Sequence, residues 1–97
     1  MFIQIIDFQS RRFEEGTKHV DEWKSATKGK RTAKRSVVCK DLDNPDRYLN
    51  IVWFDSYEDA MRNSELPETQ RLAEQLGKLS DGAPIFRNLE VVEEWQD

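Results

Sequence analysis

The sequence predicts one α+β domain built on a split β-α-β plan, and three observations carry that expectation. The chain has 97 residues, enough for one hydrophobic core and too few for two. Its apolar pattern runs strand, helix, strand, strand, helices, strand. Breakers rich in glycine, proline or aspartate, at Lys28-Gly29-Lys30, Asp41–Asp46 and Ser80–Pro84, fall between those segments. This order is the ferredoxin-like β-α-β-β-α-β arrangement, an antiparallel sheet with helices on one face, and a single domain over residues 1–97 is expected.

Phe2 to Phe8 is an isoleucine-rich run interrupted only by Gln4 and Asp7, which suits a central strand. Ser10 is placed to cap a helix whose first turn holds Glu14 and Glu15. Phe13, Thr17, Val20, Trp23 and Thr27 recur at helical spacing on one face of it, and Gly16 weakens it slightly. After the Lys28-Gly29-Lys30 break, Arg31 to Lys40 reads as a second strand centred on Val37, Val38 and Cys39. The turn formers of Asp41–Asp46 lead into a third strand, Arg47 to Asp55, so the second and third strands form a hairpin. Ser56 precedes Asp59 by three residues and starts a helix carrying Tyr57, Ala60 and Met61. Pro67, with its φ already suited to a first turn, restarts the helix, and Leu72, Leu76 and Leu79 give it an apolar stripe. Ile85 to Trp95 is the last strand.

Composition narrows the function classes. With 37% apolar residues and a mean hydropathy of -0.83, the core is lean, and self-association is expected to add stability. No run of 18 apolar residues exists, and Met1–Asp7 lacks a basic segment leading into an apolar one, so a cytoplasmic protein is expected. The lone Cys39 reads as a small buried hydrophobe, and one cysteine with one histidine assembles no ligand set for metal, heme or flavin. Seven basic and no acidic residues lie between Lys24 and Lys40, whereas Glu90, Glu93, Glu94 and Asp97 load the other end. That run reads either as an anion or nucleic-acid site or as a solvated helix end followed by an edge strand. A sequence pI near 5.0 and the absence of interleaved aromatics favour the second.

Two motif-like stretches fail. Asp41, Asp43 and Asp46 suggest a calcium loop, but Pro45, Asp46 and Val52 occupy its fifth, sixth and twelfth positions. Gly29-Lys30 lacks the remaining residues of a phosphate loop, and no Gly-x-Ser-x-Gly occurs.

The stretch Trp53-Phe54-Asp55-Ser56-Tyr57-Glu58-Asp59-Ala60-Met61-Arg62-Asn63-Ser64, with the order of elements, resembles the antibiotic biosynthesis monooxygenase-like family of dimeric α+β barrels. The likeness covers nearly the whole chain in topology and about a dozen residues in motif. It implies a homodimer joined through sheet faces, with a pocket in each subunit between sheet and helices. Heme-degrading relatives use an asparagine, a tryptophan and a histidine where this chain has Asp7, Phe54 and Arg71. Arginine stays protonated and offers iron no lone pair, so heme degradation is not expected.

What the resemblance leaves is cofactor-free oxygenation of a small aromatic or polyketide-like substrate, or a non-catalytic barrel that binds a small molecule or a protein. Alternation along the third strand puts Tyr48, Asn50, Val52 and Phe54 on one face and Leu49, Ile51 and Trp53 on the other. By the resemblance the Phe54 face meets the helices and the Trp53 face meets the partner. Asp7 is the expected base, joined in the pocket by Asn50 and Phe54, with Asn50 and His19 orienting the substrate. Trp23, Tyr48, Phe54 and Arg71 are the expected substrate-binding residues, Arg71 as an anion clamp.

Overall fold

In a computed structural model that describes all 97 residues, the elements are β1 (Phe2–Gln9), a 3-10 turn (Phe13–Gly16), α1 (Thr17–Ala26), β2 (Arg35–Lys40), β3 (Arg47–Phe54), α2 (Tyr57–Glu65), α3 (Pro67–Gly77) and β4 (Ile85–Glu90). The strands form one antiparallel sheet in the order β2-β3-β1-β4. This is the predicted ferredoxin-like α+β architecture. No helix is long and apolar enough to cross a membrane.

The register fixes the two faces. Phe2 pairs with Phe54, Gln4 with Val52, Ile6 with Asn50 and Phe8 with Tyr48, and this side carries the helices. Phe2, Val52 and Phe54 join Ala60 of α2 as the buried core, with Tyr57 edge-on to Phe2 at 5.6 Å. Burying Phe54, 2% exposed, contributes on the order of 2–3 kcal/mol. Ser56 caps α2 as predicted, its Oγ accepting from the Asp59 N–H at 3.1 Å. Leu66, preceding Pro67, is extended at ψ 132, because the proline ring crowds a helical residue before it; the chain therefore breaks between α2 and α3.

Several local expectations are corrected. Ser10 caps no helix: its Oγ accepts from the Arg12 N–H and donates to the Leu79 carbonyl, tying the end of β1 to the end of α3. Gly16 lets the chain approach α3 closely: a Cβ there would lie 2.9 Å from Leu76 Cδ2, so the leucine side chain would have to shift. The second strand starts at Arg35 rather than Arg31, with Thr32 donating to the Asp59 carbonyl instead of joining the sheet. The last strand stops at Glu90, and Val91–Asp97 takes no regular structure. Cys39 is exposed, because β2 is an edge strand and its residues lack a neighbour on one side.

Candidate functional site

The helix-facing side of the sheet is finished differently along its length. At one end Phe8, Tyr48 and Phe13 stack, with Phe13 and Tyr48 centroids 4.1 Å apart. At the other end α2 seals Phe2 and Phe54. Between them lies a polar row open to solvent. Ser36 Oγ donates to Asn50 Oδ1 at 2.9 Å, and Gln4 Nε2 donates to Asn88 Oδ1 at 3.3 Å. Ile6 is half-buried nearby, and Val38 and Phe86 are 48% and 58% exposed. With its oxygen satisfied by Ser36, the Asn50 amide has its N–H groups left to offer a ligand.

His19, Trp23 and Arg71 meet elsewhere, in a cleft of about 160 Å³ between α1 and α3 that Glu68 and Leu72 also line. Trp23 Nε1 donates to Thr69 Oγ1 at 2.9 Å, and the Arg31 guanidinium sits 5.7 Å from the Trp23 ring centre. His19 Nδ1 is buried there without a partner. The Lys30 ammonium donates to Glu68, and this bond holds the Glu68 carboxyl below its ordinary pKa. A second hollow, of about 440 Å³, also borders His19 but is lined by Arg12, Glu14, Glu15 and Lys18, which suit solvent better than an apolar ligand.

Asp7 does not join Asn50 and Phe54. Because Asn50 lies opposite Ile6, the neighbouring Asp7 must point to the other side, where it pairs with Leu49 and Ile85. There Asp7 is buried, with Arg47 Nε at 2.9 Å and Arg87 Nη1 at 3.5 Å. The predicted site residues thus occupy three places: Tyr48, Asn50 and Phe54 on the helix-facing side, His19, Trp23 and Arg71 in the α1–α3 cleft, and Asp7 on the opposite face. Of the first three, Phe54 is core rather than accessible wall. Sequence reasoning missed Ser36 and Asn88, the partners of the amide row, and both arginines of Asp7. Gln4, visible as a polar break in an apolar strand, was the one available signal.

The open face also carries Ile3, Ile5, Val37, Leu49, Ile51 and Trp53, with Arg35 stacked over Trp53 at 4.5 Å. On its β4 side Ile85 and Leu89 are 46% and 43% exposed. The basic run is partly used within the chain: Lys30 on Glu68, Arg31 on the Lys24 carbonyl and Lys34 near Asp55.

No protein-family model and no curated protein matches the chain. Solved structures do. A variant of SnoaB, a cofactor-independent oxygenase from Streptomyces nogalater, superposes with a TM-score of 0.81 at 12% identity, covering 99% of this chain and 97% of that one. Rv0793 from Mycobacterium tuberculosis gives 0.78 at 13% identity, covering 98% of each chain. A structure described as an antibiotic biosynthesis monooxygenase gives 0.77 at 10% identity, over 96% of this chain and all of the other. The chain therefore has the fold seen in antibiotic biosynthesis monooxygenases, a four-stranded antiparallel ferredoxin-like sheet with its helices on one face.

Proposed function

We propose that the protein is a cofactor-free monooxygenase acting on a small aromatic or polyketide-like substrate held between the sheet and the helices. The observation that supports this most is the amide row, Asn50 and Gln4 held by Ser36 and Asn88 on the helix-facing side of the sheet. It sits in a fold shared over its whole length with a cofactor-independent oxygenase. Asn50 orients the substrate's oxygen, and Tyr48 with Phe13 forms an aromatic wall beside it. His19, Trp23 and Arg71 stand at the α1–α3 cleft as the entry side, Arg71 attracting anionic groups. In such a reaction the substrate gives up a proton and supplies its own electrons to dioxygen. One oxygen atom ends on the substrate carbon and the other leaves as water, so the site must orient the substrate and exclude water.

In this reading the protein is a homodimer through the open sheet face, whose apolar residues otherwise face water. Asp7 has a structural role there, balancing Arg47 and Arg87 rather than removing a proton. That placement favours a second reading, a non-catalytic dimeric barrel that binds small molecules, because it leaves no carboxylate beside Asn50.

Oxygen uptake and incorporation of labelled dioxygen, measured with a panel of anthrone- and naphthol-type substrates, decide between the two. The enzyme reading expects labelled product, with Asn50→Ala lowering turnover about a hundredfold and Asp7→Asn leaving it within a few-fold. Ligands that bind but come back unchanged would establish the binding barrel instead.

A further inference from the structure

The seam between α1 and α3 holds two polar atoms that nothing else in the chain answers. His19 Nδ1 and Glu68 Oε1 are both buried without a hydrogen-bond partner, and both residues line the cleft of about 160 Å³. A buried polar atom left unpaired costs about 1–3 kcal/mol, which an occupant donating hydrogen bonds would recover. The other oxygen of Glu68 is taken by the Lys30 ammonium, which keeps this carboxyl ionised at neutral pH and therefore a pure acceptor. His19, Glu22 and Trp23 on α1 and Glu68, Arg71 and Leu72 on α3 repeat one i, i+3, i+4 spacing, so each helix presents its three residues on one side. Arg71, one turn on from Glu68, enters no ion pair, and neither does Glu22.

We propose that the α1–α3 cleft binds a small zwitterion of the free amino-acid kind, its ammonium donating to Glu68 Oε1 and His19 Nδ1 and its carboxylate paired with Arg71. Two acceptors call for a donor with more than one N–H, and an ammonium has three; it also selects the imidazole tautomer in which Nδ1 accepts. The planar fork of Arg71 suits a carboxylate, which it binds through two parallel bonds. A simple anion would leave both acceptors unanswered, and a simple amine would leave Arg71 so. Size points the same way, since the cleft lies below the about 300–1,000 Å³ of sites for drug-sized molecules. Leu72 and the Trp23 ring, whose N–H is already given to Thr69, suit a short aliphatic side chain. The His19 ring and the Glu68 carboxylate reach a ligand by turning about their broad terminal torsions, without backbone movement. The inference goes beyond the oxygenase reading, for this site is separate from the amide row and needs neither oxygenation nor a second copy.

The test uses the one histidine of the chain, whose ring resonances are assigned without ambiguity. The full chain is titrated by NMR with glycine, alanine, valine and leucine, and with the N-acetyl and carboxamide forms of each. The expected result is a saturable shift of the His19 ring signals by at least one of the four, with a Kd below about 1 mM. Removing either charge from that ligand, or substituting Glu68→Gln or Arg71→Gln, should weaken binding at least about tenfold. Arg71 is exposed and unpaired, so its variant tests the site even where loss of the Lys30 bond destabilises Glu68→Gln. Asn50→Ala, in the amide row, should leave the affinity unchanged. The proposal is refuted if none of the four gives a saturable shift up to about 20 mM, or if the N-acetyl and carboxamide forms bind equally well. Binding unaltered in both cleft variants would put the ligand in the other hollow beside His19, and binding lost in Asn50→Ala would put it on the amide row; either overturns the site. Because the readout is binding, an absence of oxygenase turnover leaves this result intact, and an empty cleft leaves the oxygenase reading intact.

Discussion

The two faces of one sheet show how differently a short chain can dispose of the same kind of surface. On the helix side, Phe2, Val52 and Phe54 are closed over by Ala60 and Tyr57 from α2, so that side is completed by local chain. On the other side Ile3, Ile5, Leu49, Ile51 and Trp53 have no covering element, and a buried Asp7 is held between two arginines. The first face is a core in the ordinary sense. The second has the composition of a core and lacks its second layer, which is why a second copy is proposed to cover it.

Phe54→Ala should separate the two faces most strongly, because it leaves a cavity under α2. A loss of about 3–5 kcal/mol is expected, a large share of the about 5–15 kcal/mol by which a domain this size is stable, and urea unfolding measures it. Trp53→Asp, one residue away on the other face, should behave oppositely. Monomer stability should change little, while the proposed dimer should weaken by at least a hundredfold, since a charge placed in its dry contact would cost several kcal/mol. Equal effects of the two substitutions on the monomer would erase the distinction between the faces.

Asp7→Asn tests the open face more gently. It keeps the shape but leaves Arg47 and Arg87 around a neutral amide, and about 1–2 kcal/mol should be lost, because both arginines are partly solvated. Ser56→Ala, on the helix side, removes the α2 cap and should cost about 1 kcal/mol without affecting dimerisation.

How much of this was legible follows from what each signal encodes. The capped start of α2 and the proline start of α3 were readable because Ser56 and Pro67 act on their own backbone neighbours. The face of Asp7 was not. β1 is apolar on both sides, with Phe2, Ile6 and Phe8 on one and Ile3 and Ile5 on the other, so its alternation gives no parity. Only the register with β3 decides which side Asp7 shares with Leu49, and register is a long-range property. His19, Trp23 and Arg71 gather in one cleft because α1 packs on α3, with Gly16 allowing the close approach to Leu76. The glycine was visible; its contact, 60 positions along the chain, was not.

The smallest effect is expected from acid, and it falls outside the open face. Four carboxyls are held below their ordinary values: Glu15 by the Arg12 guanidinium, Asp41 by the Asn44 amide, Glu68 by the Lys30 ammonium and Asp81 by the Arg11 N–H. Three of them tie the helices and their loops, and Asp81 joins the segment after β1 to the one after α3, with Arg11 N–H to Oδ2 at 2.9 Å. A carboxyl whose folded pKa is depressed adds stability that is fully present above its unfolded pKa, 4.5 for glutamate and 3.8 for aspartate. That stability is lost as pH falls through the folded value. The urea midpoint should therefore stay level from pH 7 to 5 and decline below about 4.5. Asp81→Asn should lower the midpoint slightly at pH 7, and its difference from wild type should shrink toward pH 3, where the wild-type carboxyl is itself losing its charge. A difference that stays constant across that range would mean that Asp81 acts through shape alone, and the acid sensitivity of the helix side would then have to come from Glu15 and Glu68.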